Sequence, residues 1–218
     1  LVVVMIGVLL PGVTSARSAS RDAQALLHVR TVSGALLAQA SDRQDVISRV
    51  PEPRIDASGN TVYARAWVVH TEWWHQFTAL QQDSAEAPLD SLLTSAGHVR
   101  YGLTFAAVSQ DSEYNPNSVF LTDIYEIPAV SRRFSQVEHP SEKVMLYEIR
   151  PGNHDATQSF CCISFDVRGA LARFDGSGFA ARVIDFEDHR NFDPLLLRGV
   201  PAVATWWGLR GRDRLIEE

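Results

Sequence analysis

The sequence predicts an α+β protein: a long, protruding N-terminal helix packed on an antiparallel β-sheet head. Three observations carry this. Apolar residues recur at three-and-four spacing through residues 14–50, the signature of a helix with one buried stripe. From His98 onward, short apolar runs alternate with turns rich in Gly, Asp and Pro, as in a β-rich fold. Helix and strands are also segregated along the chain, which favours an antiparallel sheet with the helix on one face.

The chain opens on LVVVMIGVLLPGV, Leu1 to Val13, which carries no charge. A bilayer span takes about 20 helical residues, so this stretch reads as a buried helix, a signal-peptide remnant, or the trailing half of a membrane helix. Polar, helix-friendly sequence follows from Thr14. Its apolar stripe is Leu26, Val29, Val32, Ser33, Leu36, Leu37 and Ala40, and Arg17, Arg21, Asp22, Arg30, Asp42 and Asp45 supply the wet side. Pro51 and Pro53 are expected to end the helix near Val50, because a residue before proline is pushed out of the helical region. Pro11 is expected to kink it. A helix from Leu1 to Val50 would reach about 75 Å, longer than a domain of this size needs, so its front end should protrude. The chain thus divides into a helical segment, 1–50, and a head, 51–218.

In the head, 61–70 alternates like a strand, Trp73–Leu80 has helical spacing, and Pro88–Ser95 reads as a short helix. The expected strands are 99–108, 118–123, 143–150, 160–167, 170–175 and 179–185. Asp166–Gly169 and Asp175–Gly178 have hairpin-turn composition, so the last three strands form an antiparallel meander.

Composition limits function. At 218 residues, 45% hydrophobic and 21% charged, the chain can bury a substantial core. A net charge of −6 argues against a nucleic-acid partner, since nothing neutralises a run of phosphates. The two cysteines, Cys161 and Cys162, are adjacent and read as strand residues; neighbours on a strand point to opposite faces and rarely bridge. His70 and His75 are five apart and do not share a helix face, so they do not form the zinc-protease arrangement. Cys161 or Cys162 with His154 lacks a third, orienting group. The chain has no phosphate loop and no nucleophile elbow, and Asp175-Gly176-Ser177-Gly178 reads as a turn. No catalytic or cofactor-binding residue is assigned. Asp185, Glu187, Asp188 and Asp193 crowd an oxygen-rich loop of the kind calcium needs, although His189 and Arg190 interleave it and a solvated acidic loop is the competing reading.

The N-terminal segment, LVVVMIGVLLPGVTSARSASRDAQALLHVRTVSGALLAQASD, resembles the type IV pilin-like and type II secretion pseudopilin-like proteins of the planctomycete type. Leu9-Leu10-Pro11 falls on that family's Leu-Leu-Pro, Ala16-Arg17 on its Ala-Arg, and Leu36-Leu37 with Asp42 on a later helical segment. Tyr101-Gly102 is similar to its Tyr-Gly strand, and Pro140-Ser141-Glu142-Lys143 to its Pro-Ser-Lys segment. GALARFDGSGFAARV is similar to its C-terminal Asp-Gly hairpin, with Asp175-Gly176 at the turn. Phe165 stands where the family usually has a His, and the early-helix Cys is replaced at or near Leu27.

The resemblance implies a non-enzymatic structural subunit with a single-pass anchor in the inner membrane and its head on the extracytoplasmic side. Its partners would be other pilin or pseudopilin subunits, met through the helix. Leu1, Val4, Ile6, Gly7, Leu9, Leu10 and Pro11 would form the membrane and assembly surface, with Gly12, Ala16 and Ala19 as further small positions for close approach. On this reading, Leu1–Val13 is the second half of a membrane helix whose first half precedes Leu1. Calcium sites in C-terminal loops of some pseudopilins give the 185–193 loop its only cofactor expectation. The alternative is an exported soluble ligand-binding domain, carbohydrate being one candidate ligand. There, residues 1–13 are a signal-peptide remnant and Trp73-Trp74 lies at the ligand face.

Overall fold

The computed structural model describes residues 2–42, 44–47, 54–55, 58–59, 61–62, 64, 94–95, 98–99, 101–110, 127–148, 159–160, 163–164, 168–187, 202, 205 and 207–216. The first element, α1, is a 41-residue helix, Val2–Asp42, about 60 Å long. It is continuous through Pro11.

The head-facing stripe of α1 is Ala25, Val29, Val32, Ser33, Leu36 and Ala40, all buried. Leu26 and Leu37 flank this stripe and are half-buried. Polar Ser33 is accommodated because its hydroxyl donates back to the Arg30 carbonyl at 3.0 Å.

The helix stops at Asp42, short of the expected Val50, and the prolines have no part in ending it. Gln44 and Asp45 turn into left-handed conformations (φ 57° and 75°), and the Asp45 N–H donates to the Ala40 carbonyl at 2.8 Å. This six-to-one bond caps the last turn as in a Schellman motif, with Gln44 in the place usually held by glycine. Beyond the cap, Val46 bridges Arg133, and the Ile47 N–H donates to the Arg132 carbonyl at 2.8 Å. Pairing with a distant segment here competes successfully with helix continuation.

The principal sheet is antiparallel and four-stranded. In chain order its members are β5 (Tyr101–Leu103), β6 (Val144–Glu148), β9 (Gly169–Arg173) and β10 (Gly178–Ala181), in spatial order β10-β9-β6-β5. Among the described residues, three two-stranded ladders stand apart: β1 (Arg54–Ile55) with β2 (Thr61–Val62), β3 (Thr94–Ser95) with β4 (His98–Val99), and β7 (Ser159–Phe160) with β8 (Ile163–Ser164). The α+β class is therefore observed, with α1 packed against β6, β9 and β10.

Val144 to Tyr147 in β6 are buried at consecutive positions, so the strand is covered on both faces. One cover is α1. Irregular segments containing Ala106–Val108, Ile127, Ala129, Val137, Ala202 and Leu209 complete the same core. A register shift between Val144 and Leu146 marks a bulge against β9. Gly102 of β5 lies opposite Tyr147, where a Cβ would stand 2.7 Å from the tyrosine Cζ. Glycine is required there by the aromatic ring.

The Asp175–Gly178 turn forms as the sequence predicts. The Ser177 N–H donates to the Asp175 carboxylate at 2.8 Å, and Gly176 adopts φ +84°. Its smallness also serves packing, because α1 crosses the turn. A Cβ on Gly176 would come within 3.0 Å of Leu37 Cδ1, and one on Gly178 within 2.6 Å of Arg30 Cγ. Arg30 Nη2 donates to the Gly178 carbonyl at 3.0 Å and ties helix to hairpin.

Several strand expectations are corrected. The stretch 160–167 is not one strand of the meander: Phe160 pairs with Ile163, so the chain reverses between them, and β6 takes the place beside β9. Gly169 starts β9 and does not close a hairpin turn. Phe105–Ala107 and Val183–Asp185 are 3-10 turns, not strand. Thr94–Ser95 pairs as a strand, which removes the end of the expected 88–95 helix. Trp73–Leu80, 118–123, Cys161 and Cys162 lie outside the described residues.

Candidate functional site

The free part of α1 is the most distinctive surface of the chain. Residues 11–24 are exposed or half-exposed, and burial begins at Ala25, which retains 3% exposure. About 20 Å of helix therefore projects past the head before contact starts. Val13 is 47% exposed on this projection and Leu27 64% exposed just beyond it. Gly12, Ala16, Ala19 and Ala23 lie at four-and-three spacing and are exposed, so one face of the projection presents almost no side-chain bulk. The Thr14 hydroxyl is turned inward and donates to the Pro11 carbonyl at 2.9 Å. Such a surface permits close backbone approach of a second helix.

Of the residues expected on the anchor surface, Val4, Ile6, Gly7, Leu9 and Leu10 belong to α1 through their backbone, and Pro11 is exposed; Leu1 lies outside the described residues. Among the described residues, no helix is long and apolar enough to cross a membrane.

A second constellation lies inside the head, and sequence reasoning did not find it. Lys143 and Asp213 form an ion pair, Nζ to Oδ2 at 3.2 Å, with both side chains at 0% exposure. The Asp213 carboxylate collects three further donors from two segments: the Val144 N–H at 2.9 Å, and the Ala202 N–H at 2.8 Å together with the Thr205 hydroxyl. The Asp213 N–H in turn donates to the Glu142 carbonyl at 2.7 Å. Ala202 holds φ +64°, an uncommon conformation for a residue with a Cβ, and this aims its N–H at the carboxylate. The pair has no access to solvent, so its chemistry is structural: it pins the C-terminal segment onto the start of β6. The sequence did carry a signal. Gly211 and Asp213 are buried between exposed Arg210, Arg212 and Arg214, an alternation that marks an extended segment with one face inward. Outside the core, Arg214 Nε donates to Glu142 Oε2 at 2.9 Å, which raises the arginine pKa and reinforces the same junction.

The candidate calcium loop is described only in part. Asp185 closes a 3-10 turn and is engaged with Arg182: Nε and Nη2 donate to Oδ1 at 2.9 and 2.7 Å, and the Arg182 N–H donates to Oδ2 at 2.8 Å. Hydrogen bonding from the Arg182 side chain holds the Asp185 carboxyl below its usual value. A calcium ion at Asp185 would have to displace that guanidinium. Glu187 is exposed and its N–H donates to the Arg214 carbonyl at 2.9 Å; Asp188 and Asp193 lie outside the described residues. No group of three or more metal-ligating side chains comes together among the described residues.

Comparison with protein-family models, with curated proteins and with solved structures finds no match.

Proposed function

We propose that this chain is a structural subunit of the pilin-like or pseudopilin-like kind, anchored in the inner membrane by the start of α1 with its head in the extracytoplasmic space. The observation that carries the reading is the division of one helix into two parts. Residues 25–40 pack into the core of the head, whereas residues 11–24 project from it and continue an apolar, uncharged start. The apolar start gains free energy by leaving water, either for lipid or for identical helices, and the small residues at 12, 16, 19 and 23 suit close helix approach. The two-part helix suits a subunit whose heads form an outer surface around packed helices. Its partners on this reading are pilin or pseudopilin subunits of the same assembly.

Fractionation of cells expressing the protein tests the anchor. The expected result is recovery with the inner membrane, extracted by detergent and not by salt or carbonate, with the head open to protease added from the outer side. Single cysteines at Ala16 or Ala19, in a Cys161→Ser/Cys162→Ser background, should cross-link between copies in the same membranes. Recovery of the uncleaved chain as a soluble monomer, without cross-links, would overturn the proposal.

A further inference from the structure

The projecting part of α1 carries two exposed positive charges on one side. Arg17 and Arg21 are exposed and four residues apart, so their side chains leave the helix on one side with Cβ atoms about 6 Å apart. Like charges in this register weaken a helix unless a counter-charge is supplied. Neither arginine forms an ion pair among the described residues. The nearest acid in sequence, Asp22, is turned about 100° round the helix from Arg21. Residues 11–24 are exposed or half-exposed and Ala25 is the first buried residue after them, so the core of the head does not bury the pair.

Their position along the axis matches the headgroup layer of a bilayer. No residue before Arg17 is charged, and residues 1–13 are apolar apart from their backbone. A short collar of hydroxyl and small residues, Thr14-Ser15-Ala16, follows, and then come the two arginines. From Thr14 to Arg21 the helix rises about 10 Å, comparable to the headgroup layer of a bilayer with its adjoining water. A guanidinium matches phosphate through paired, charge-assisted hydrogen bonds. The whole chain carries −6 with these residues counted, so attraction to an anionic surface has to come from a local group of positive charges such as this pair.

We propose that Arg17 and Arg21 form a docking site for the phosphate groups of anionic phospholipids, setting the depth of α1 and holding the base of the head at the bilayer surface. The site rests on the membrane-anchoring reading above and adds to it a specific lipid chemistry at two named residues.

Vesicle flotation of the 218-residue chain tests this. One set of vesicles is phosphatidylcholine alone; the other contains about a third phosphatidylglycerol. The expected result is tighter binding to the anionic set, with the preference abolished by high salt. Arg17→Gln and Arg21→Gln should each weaken binding to anionic vesicles about fivefold, and the pair about 30-fold, leaving binding to neutral vesicles unchanged. Glutamine keeps helix propensity close to that of arginine, so the helical circular dichroism should be unaltered. Leu9→Glu should lower binding to both sets, which reads the apolar anchor separately. If the double variant binds anionic vesicles as the parent does while neutral binding persists, the arginine site is overturned alone. If the parent binds neither set, the anchoring reading fails, and the arginine site with it.

Discussion

Replacing Asp213 by alanine removes the carboxylate that sits 3.2 Å from the Lys143 ammonium, at a place where neither side chain meets water. It also takes the acceptor away from the Val144 N–H, the Ala202 N–H and the Thr205 hydroxyl. Breaking a buried ion pair from one side costs about 3–5 kcal/mol, and an orphaned buried donor costs about 1–3 kcal/mol in its own right. These donors share one acceptor, and effects within one hydrogen-bond network do not add in full. We expect a loss of about 4 kcal/mol. For a chain of this size that lowers the unfolding midpoint by about 8–16 °C, at 2–4 °C per kcal/mol. Lys143→Met is the informative comparison. It removes the cation while leaving the carboxylate its three hydrogen-bond donors, and methionine fills most of the lysine volume, so it should cost about half as much. Urea unfolding followed by circular dichroism measures both, and hydrogen exchange should show residues 202–216 losing protection first in the alanine variant. Loss of less than about 1 kcal/mol on Asp213→Ala, or a Lys143→Met penalty equal to it, would refute the assignment of Asp213 as the hub.

Three other perturbations follow from the same structure. Gly102→Ala should destabilise by about 1–3 kcal/mol, because its Cβ would meet the Tyr147 ring at 2.7 Å inside the core. Gly34→Ala, on an exposed helix position with nothing within 4 Å, should instead stabilise by about 0.5–1 kcal/mol; thermal unfolding of the two variants in opposite directions is the expected outcome. The Asp185 carboxyl titrates below 3.8 because Arg182 hydrogen-bonds its charged form. Its stabilising contribution is therefore present above about pH 4 and disappears as pH falls through the lowered folded value. Arg182→Ala should move the Asp185 midpoint up toward 3.8, read by carbon-13 carboxyl titration, and an unmoved midpoint would sink the assignment.

How much was legible beforehand depends on how local each feature is. The buried stripe of α1 was readable because three-and-four spacing is intrinsic to a helix, and five of the six buried positions, Val29, Val32, Ser33, Leu36 and Ala40, lay on the expected stripe. The Asp-Gly-Ser-Gly turn was readable because its conformation is set by its own residues. The end of α1 was not: residues 46–47 are drawn from the helix by hydrogen bonds to 132–133, a partner more than eighty residues away. Strand order failed for the same reason. The composition of 160–167 is as strand-like as that of 144–148, and only long-range pairing decides which of them lies beside β9. The alternation around Asp213 hints at an inward face but names no partner, and the Lys143–Asp213 pair was missed because burial of a charge becomes favourable only when the Ala202 and Thr205 donors converge.

By itself, then, the sequence determined the class of fold, the existence and buried face of the long helix, and an apolar, uncharged start that sets the helix apart from its head. These follow from periodicity and composition, which act through neighbours in the chain. Tertiary structure alone decided where the helix ends, which strands meet, and that the C-terminal segment is locked to β6 by a buried charge pair. It also fixed the boundary at Ala25 between packed and projecting helix. Each of these depends on free-energy differences between segments far apart in sequence, and such differences exist only once the chain has brought them together.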